Sequence, residues 1–310
     1  MNNILLLNEY IKALVLNVDK ENLPSEIDIS FDGGVFNGIY AYGISLYIKA
    51  LEKMGLTKVK RVSGCSVGAL IGLLYLSNIT DGNIINVDEI FNNLVNDLKK
   101  NGNLKNYRST LKNIVYNIFD TDELKEINDK LFINFYDLKK CKQRIVSKYK
   151  NREHLIDCLV RTSYLPYLID GNFCYNERYI DGIIPHIFKD NIRSNLFIKI
   201  VTLKNAKRML YFKNERNIQY RTLCGVCDAN NFFTDGKSDM CSYVNKWNYK
   251  DKLTYHGREI IILFIIFIIK YILNLKKIIP KKYFKSMIIE CIIRKCKELL
   301  KEIISITLSK

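Results

Sequence analysis

The chain has 310 residues, 48% of them hydrophobic, with only 4 Pro and 15 Gly. That is enough apolar material for one substantial core and too little Pro and Gly for long disordered linkers. Nine cysteines, set mostly one at a time among apolar residues, speak for a reduced, intracellular protein and against a disulfide scaffold. The net charge of +16 is concentrated: residues 244–310 hold 15 Lys and Arg against 5 Asp and Glu. Those cations alternate with isoleucine and carry no nucleic-acid motif, so nucleic acid is not expected as a partner.

In chain order, residues 1–25 read as a short amphipathic helix and a loop at Pro24, without the basic start and small-residue cleavage site of a signal peptide. Residues 27–31 form a strand pattern and run into Asp32-Gly33-Gly34. A helix is predicted over 39–54, with Ile44, Tyr47, Ile48 and Leu51 as its apolar residues and Gly55 placed to end it. The β-branched stretch 59–63 predicts a second strand, and residues 70–76 a second helix. This βαβα order implies an α/β fold with a mainly parallel sheet covered by helices on both faces. Residues 87–130 read as helical, without chemical motifs. Short strands are expected near 131–136 and 144–146, and a helix over 153–162 precedes Pro166. A further strand ends at Tyr179-Ile180-Asp181-Gly182, and another covers 195–203.

The last stretch changes character. Residues 260–269 are ten unbroken apolar residues, interrupted by Lys270 before 271–275. That is shorter than the ~20 residues a bilayer-spanning helix needs, although Lys270 could snorkel. Lys276, Lys277, Lys281, Lys282 and Lys285 follow. Beyond them, Ile288, Ile289, Ile292, Ile293, Cys296, Leu299, Leu300, Ile303 and Ile304 make one apolar face. Packing onto the core and an interfacial anchor, with apolar residues in lipid and lysines on anionic headgroups, both stay open. The expected division is an N-terminal helical segment 1–25, a catalytic domain 26–205, a strand and loop extension 206–257 and a basic helical region 258–310.

The chemistry centres on Gly64-Cys65-Ser66-Val67-Gly68, a G-x-S-x-G pattern between a strand and a helix. The turn is so tight that Gly64 and Gly68 must be small, and it pushes Ser66 out at a helix N-terminus, where developing negative charge is favoured. Thirty residues upstream, the Asp32-to-Gly38 turn offers backbone N–H groups for an oxyanion hole. A base is harder to find, because His154, His186 and His256 each read as surface or structural residues. Cys224-Gly225-Val226-Cys227 with Cys241 and His256 could supply four ligands to a zinc ion, but the spacing is loose and the second pair is broken. No metal and no cofactor is expected.

Taken together, Asp32-Gly33-Gly34 with Gly38, the Gly64–Gly68 elbow, Ser163-Tyr164-Leu165-Pro166 and Tyr179-Ile180-Asp181-Gly182 resemble the patatin-like phospholipases over about residues 26–205. Gly33, Phe36, Gly38, Tyr40 and Gly43 look most like the adiponutrin and adipose triglyceride lipase branch. The resemblance implies a three-layer α/β/α fold and a Ser–Asp dyad, with Ser66 as nucleophile and Asp181 as base. Asp170 is the fallback, since Asp-Gly also occurs at Asp32, Asp81, Asp170 and Asp235. It also implies an oxyanion hole at Gly33, Gly34 and Val35. Two departures stand out. The family's third glycine is Val35 and its usual Arg or Lys is Asn37; the second glycine after the base is Ile183, with Pro185 close behind. A β-branched residue tolerates φ > 0 poorly. The implied activity is hydrolysis of a phospholipid or acylglycerol ester at a cytoplasmic-face membrane or lipid-droplet surface. The alternative is a weak or inactive relative that binds lipid.

Overall fold

The computed structural model describes residues 2–77, 87–119, 123–190, 192–201 and 218–278. The helices are α1 (Asn2–Val15), α2 (Gly38–Lys53), α3 (Val67–Leu76), α4 (Val87–Asn101), α5 (Tyr107–Ile118), α6 (Glu123–Glu126), α7 (Arg152–Thr162), α8 (Gln219–Asp235) and α9 (Tyr249–Ile278). The strands are β1 (Glu26–Phe31), β2 (Lys58–Gly64), β3 (Leu131–Asp137), β4 (Lys142–Val146), β5 (Tyr179–Ile180), β6 (Ser194–Ile198) and β7 (Cys241–Tyr243). They form one sheet in the order β4-β3-β2-β1-β6-β7, with β5 on the far end of β3. The pairs β1–β2, β2–β3 and β1–β6 are parallel, while β4, β5 and β7 run antiparallel to their partners. The fold is therefore the expected α/β architecture, with a mainly parallel central sheet.

Strand alternation decides what covers each face. Phe31, Val62 and Leu131 point to the side where α3 packs, close enough that a side chain at Gly72 would touch all three and press on Val62. The right-handed crossovers β1–α2–β2 and β2–α3–β3 put α2 on that same side, and α2 packs against α3. The opposite face is polar near its centre. Ser30 and Ser63 both donate to the carbonyl of His186, the first at 3.0 Å, and Asn134 Nδ2 donates to Ile184 O at 2.6 Å. These side chains hold the segment 183–188 across the sheet, satisfying buried groups that would otherwise cost ~1–3 kcal/mol each. Phe197 on this face packs against Trp247 and against Tyr255 of α9.

The helix α7 begins where Asn151 caps it, its side chain accepting from the His154 N–H at 2.8 Å. Where the sequence suggested strands and loops over 206–257, α8 is a 17-residue helix. Its core-facing residues include Arg221, Thr222, Gly225, Val226, Ala229 and Phe233. Val226, Ala229 and Phe233 join the core, and the small residues beside them allow close backbone packing: a Cβ on Gly225 would lie 2.1 Å from Tyr40 O of α2, and one on Gly43 2.0 Å from Thr222 O.

The first turns of α9 pack on the domain. Further along, Ile260, Ile261, Phe264 and Phe267 are exposed. Among the described residues, no helix is long and apolar enough to cross a membrane. The apolar face at 288–304 and the lysines at 281, 282 and 285 lie outside the described residues.

Candidate active site

Strand β2 ends at Gly64, opposite Ile133, while its neighbour β3 runs on to Asp137. The two-residue strand β5 takes up the vacated edge, Ile180 opposite Tyr136 and Tyr179 opposite Asp137. The chain leaving β2 at Ser66 and the chain leaving β5 at Asp181 therefore emerge side by side. Two residues 115 positions apart are brought together by one strand stopping short and another replacing it.

Ser66 sits at the N-terminus of α3 with φ 53° and ψ −133°, a backbone conformation that costs about 1–3 kcal/mol and persists only where the surroundings impose it. The surroundings are tight. A Cβ on Gly68 would lie 2.5 Å from the carbonyl oxygens of both Phe31 and Asp32, and one on Gly64 2.5 Å from Gly68 O. These glycines let β1, β2 and α3 meet at the elbow.

Thr162, at the end of α7, clamps the arrangement. Its carbonyl accepts from Ser66 N–H at 3.1 Å and from Gly182 N–H at 3.2 Å. Its hydroxyl also accepts from Ser66 N–H at 2.9 Å and donates to Asn134 O at 2.6 Å. One fully buried residue thus holds both loops. Sequence reasoning missed it; its only signal is its place directly before Ser163.

Asp181 is buried. Its N–H donates to Tyr164 O at 3.0 Å and its Oδ1 accepts from Ile183 N–H at 2.6 Å. Burial pushes its carboxyl up to about 7, opposed by the Ile183 N–H and the facing Ser66 hydroxyl and reinforced by the Asp32 charge. The Ser66 contact is loose: Asp181 Oδ2 is buried without a hydrogen bond of regular geometry among the described residues. Such contacts commonly tighten only once substrate is bound. Asp170, the fallback, is instead a turn residue accepting from Tyr164 Oη and, at 2.9 Å, from Asn172 N–H.

The turn after β1 departs from expectation at Gly33. Its N–H does not face outward but donates to Asp32 Oδ1 at 3.0 Å. The N–H groups of Gly34 and Val35 have no protein acceptor among the described residues. Val35 has φ 49° and Ile183 φ 57°. Eight described non-glycine residues have positive φ, and the two β-branched ones are these, each at a site position where the resemblance expects glycine. Asn37, in place of a cation, is buried and donates to Ile200 O at 3.0 Å. A cation arrives from elsewhere: the fully buried Arg221 of α8 donates to Phe36 O at 3.4 Å and to Asn37 Oδ1 at 3.3 Å.

The histidines lie apart from Ser66. His154 accepts from Lys150 N–H, His186 packs against Phe132 and Phe188, and His256 is exposed beside Glu259. Burial, its largest influence, lowers the His186 pKa. Cys224 and Cys227 lie on α8 and Cys241 on β7; among the described residues no group of three or more His, Cys, Asp or Glu is arranged to hold a metal.

An apolar pocket opens beside Ser66. Its apolar lining includes Val35, Phe36, Val67, Leu70, Phe91, Leu94, Leu104, Leu165, Leu168 and Ile169. Its polar feature is the pair Tyr107–Ser163, with Tyr107 Oη donating to Ser163 Oγ at 2.8 Å. The Tyr107 phenol is pushed up to about 12, chiefly by burial, so it stays a neutral hydrogen-bond donor. A nucleophile-type serine, a buried carboxylate near neutral pKa and an apolar cleft suit attack on an acyl group with a hydrocarbon tail.

In comparison with known families, a model described as Patatin-like phospholipase matches residues 29–201. A search among curated proteins finds no match.

Proposed function

Because the chain belongs to the patatin-like phospholipase family, we propose that it is a serine lipid acyl hydrolase working through a Ser66–Asp181 dyad. The observation that carries this reading is that the chain leaving β2 at Ser66 and the chain leaving β5 at the buried Asp181 emerge side by side, with Ser66 lining an apolar pocket. Asp181, ionised, takes the Ser66 proton as Oγ attacks the ester carbonyl. The N–H groups of Gly34 and Val35 receive the oxyanion, while Gly33 serves the loop through Asp32 instead. The intermediate collapses as Asp181 returns its proton to the leaving alcohol, and water, activated by the same carboxylate, releases the fatty acid. The acyl chain lies along Leu94, Leu104 and Leu168. A carboxylate suits this work when its pKa is near the working pH, and burial supplies that.

The substrate class we infer is a phospholipid or acylglycerol presented at a lipid surface. The exposed Ile260, Ile261, Phe264 and Phe267 of α9 and the excess of cations over 244–310 support an interfacial mode of binding at a cytoplasmic-face membrane or lipid droplet. Fatty-acid release from vesicles of phosphatidylcholine and phosphatidylserine, and from emulsified triacylglycerol, tests the reading. Wild type releases fatty acid and Ser66→Ala and Asp181→Asn do not; equal release by all three refutes it.

One observation favours a second reading, a family member that binds lipid with little turnover. Val35 holds a strained backbone where the resemblance expects glycine, and loss of one oxyanion donor can cost ~10²–10³ in rate. On that reading vesicle binding survives Ser66→Ala and no ester is turned over.

A further inference from the structure

Asp32 opens the turn that carries Gly34 and Val35, and its carboxylate is fully buried. Burial pushes its pKa up, and a guanidinium opposes this. The guanidinium belongs to Arg258, 226 residues away on α9 and outside the family-matched segment. The pairing is a two-pronged fork, Nη1 to Oδ2 at 3.0 Å and Nη2 to Oδ1 at 2.9 Å. The same Nη2 lies 3.5 Å from Ile183 O, in the loop that carries Asp181. One turn earlier on the same helix, Tyr255 Oη donates to Pro185 O at 3.1 Å, and its ring packs against Phe197 and Trp247. The first turns of α9 therefore touch both loops whose spacing decides whether oxyanion donors, nucleophile and base are in register. Asp32 Oδ1 also accepts from Gly33 N–H, so the fork fixes a carboxylate that itself fixes the backbone of the loop. A lysine could supply the charge but not the fork.

We propose that Arg258 is a positioning residue for the dyad, supplied by the C-terminal helix, which ties the oxyanion loop at Asp32 to the base loop at Ile183. It touches no reacting atom. It also connects the helix bearing the exposed apolar residues to the site, so the machinery is complete only when α9 is docked. The inference rests on the hydrolase reading for its kinetic consequence but not for its structural one.

The test compares full-length wild type, Arg258→Met, Arg258→Lys and, as a stability control on the same packing cluster away from Asp32, Trp247→Phe. Kinetics use a soluble short-chain p-nitrophenyl ester, and amide exchange is followed over residues 32–38 and 181–185. A displacement of about 1 Å at reacting groups can cost ~10²-fold in rate. Arg258→Met should therefore lose 10- to 100-fold in kcat with KM within about twofold. Arg258→Lys should recover part of the loss, and Trp247→Phe should lower the melting temperature without a comparable fall in kcat. Exchange should rise in both loops of Arg258→Met and stay unchanged in β1–β3. If Arg258→Met is insoluble, Arg258→Lys alone decides, by showing a kcat loss at a melting temperature near wild type. Wild-type kcat in Arg258→Met, or kcat falling equally in Trp247→Phe, overturns the proposal. If wild type and Ser66→Ala are alike without turnover, the hydrolase reading fails separately. The exchange result then decides whether Arg258 braces the loops: unchanged protection refutes the brace, and a rise confined to them supports it.

Discussion

Replacing Val35 by glycine should make this protein a faster enzyme. Val35 holds φ at 49°, in the left-handed region where a side chain costs roughly 1–2 kcal/mol. The proposed oxyanion donor is the N–H of this same residue, and its side chain lines the pocket mouth with Ser66. If that strain disfavours the donor-competent loop, relieving 1–2 kcal/mol raises its population about 5- to 30-fold. The effect on stability should be small. Strain relief is offset by the glycine's extra freedom in the unfolded chain, about 0.4–1 kcal/mol, and by lost packing of a partly buried valine, about 1 kcal/mol. The assay is kcat on a soluble ester for wild type, Val35→Gly and Val35→Ala, with melting temperatures alongside. Val35→Gly should gain about 5- to 30-fold with a melting temperature close to wild type. Val35→Ala keeps the Cβ that makes the left-handed region costly and should gain much less. Equal gains in Ala and Gly would mean that pocket width, not backbone strain, limits turnover. No gain in either would refute the reasoning.

As the proposed base, Asp181 should set the pH behaviour. With its pKa near 7, kcat/KM should rise tenfold per pH unit below about pH 7 and then level off, and a profile already flat at pH 5 would exclude this base. The folded pKa is raised above the ordinary 3.8, so the folded state binds this proton more tightly and stability is lost as pH rises from about 4 to 7. Asp181→Asn should consequently raise the melting temperature at pH 8, and the gain should shrink towards pH 4; differential scanning calorimetry at both values checks the sign. Thr162→Val removes the hydroxyl that accepts from Ser66 N–H while keeping the carbonyl clamp. It should destabilise by about 1–2 kcal/mol and lower kcat more than KM, measured by urea unfolding and steady-state kinetics. Gly68→Ala places a Cβ 2.5 Å from two backbone oxygens and should leave no soluble folded protein, judged by circular dichroism and gel filtration.

The elbow was legible because its physics is local. A β-branched strand, two obligatory glycines and an apolar helix lie within about eighteen residues, and the structure reproduces them as β2, Ser66 and α3. The mainly parallel sheet followed from the same βαβα order, which did not tell that α2 and α3 share one face. Asp181 stands out from Asp170 by its strand and its distance after Pro166, but the reason it comes beside Ser66 is a sheet-level event: β2 stops and β5 replaces it beside β3. No local pattern encodes that. Thr162 acts largely through its carbonyl, a group every residue has, so its identity announces little. Arg258 meets Asp32 across 226 residues, and Arg221 reaches Asn37 in the turn after β1 across 184; both are invisible to spacing arguments. The helix α8 is hard to read for another reason, since Arg221, Thr222 and Gly225 interrupt the apolar pattern of its buried face. The glycine departures at Val35 and Ile183 were visible, and the structure gives their meaning: both positions sit at φ > 0.

The central claim is that Ser66 is an activated nucleophile, and covalent trapping tests it most directly. Wild type is incubated with an alkyl fluorophosphonate at pH 8 and the adduct is located by peptide mass spectrometry. One adduct is expected, on Ser66, that disappears in Ser66→Ala and forms far more slowly in Asp181→Asn. An unlabelled wild type, or an adduct elsewhere with Ser66 unmodified, would contradict it.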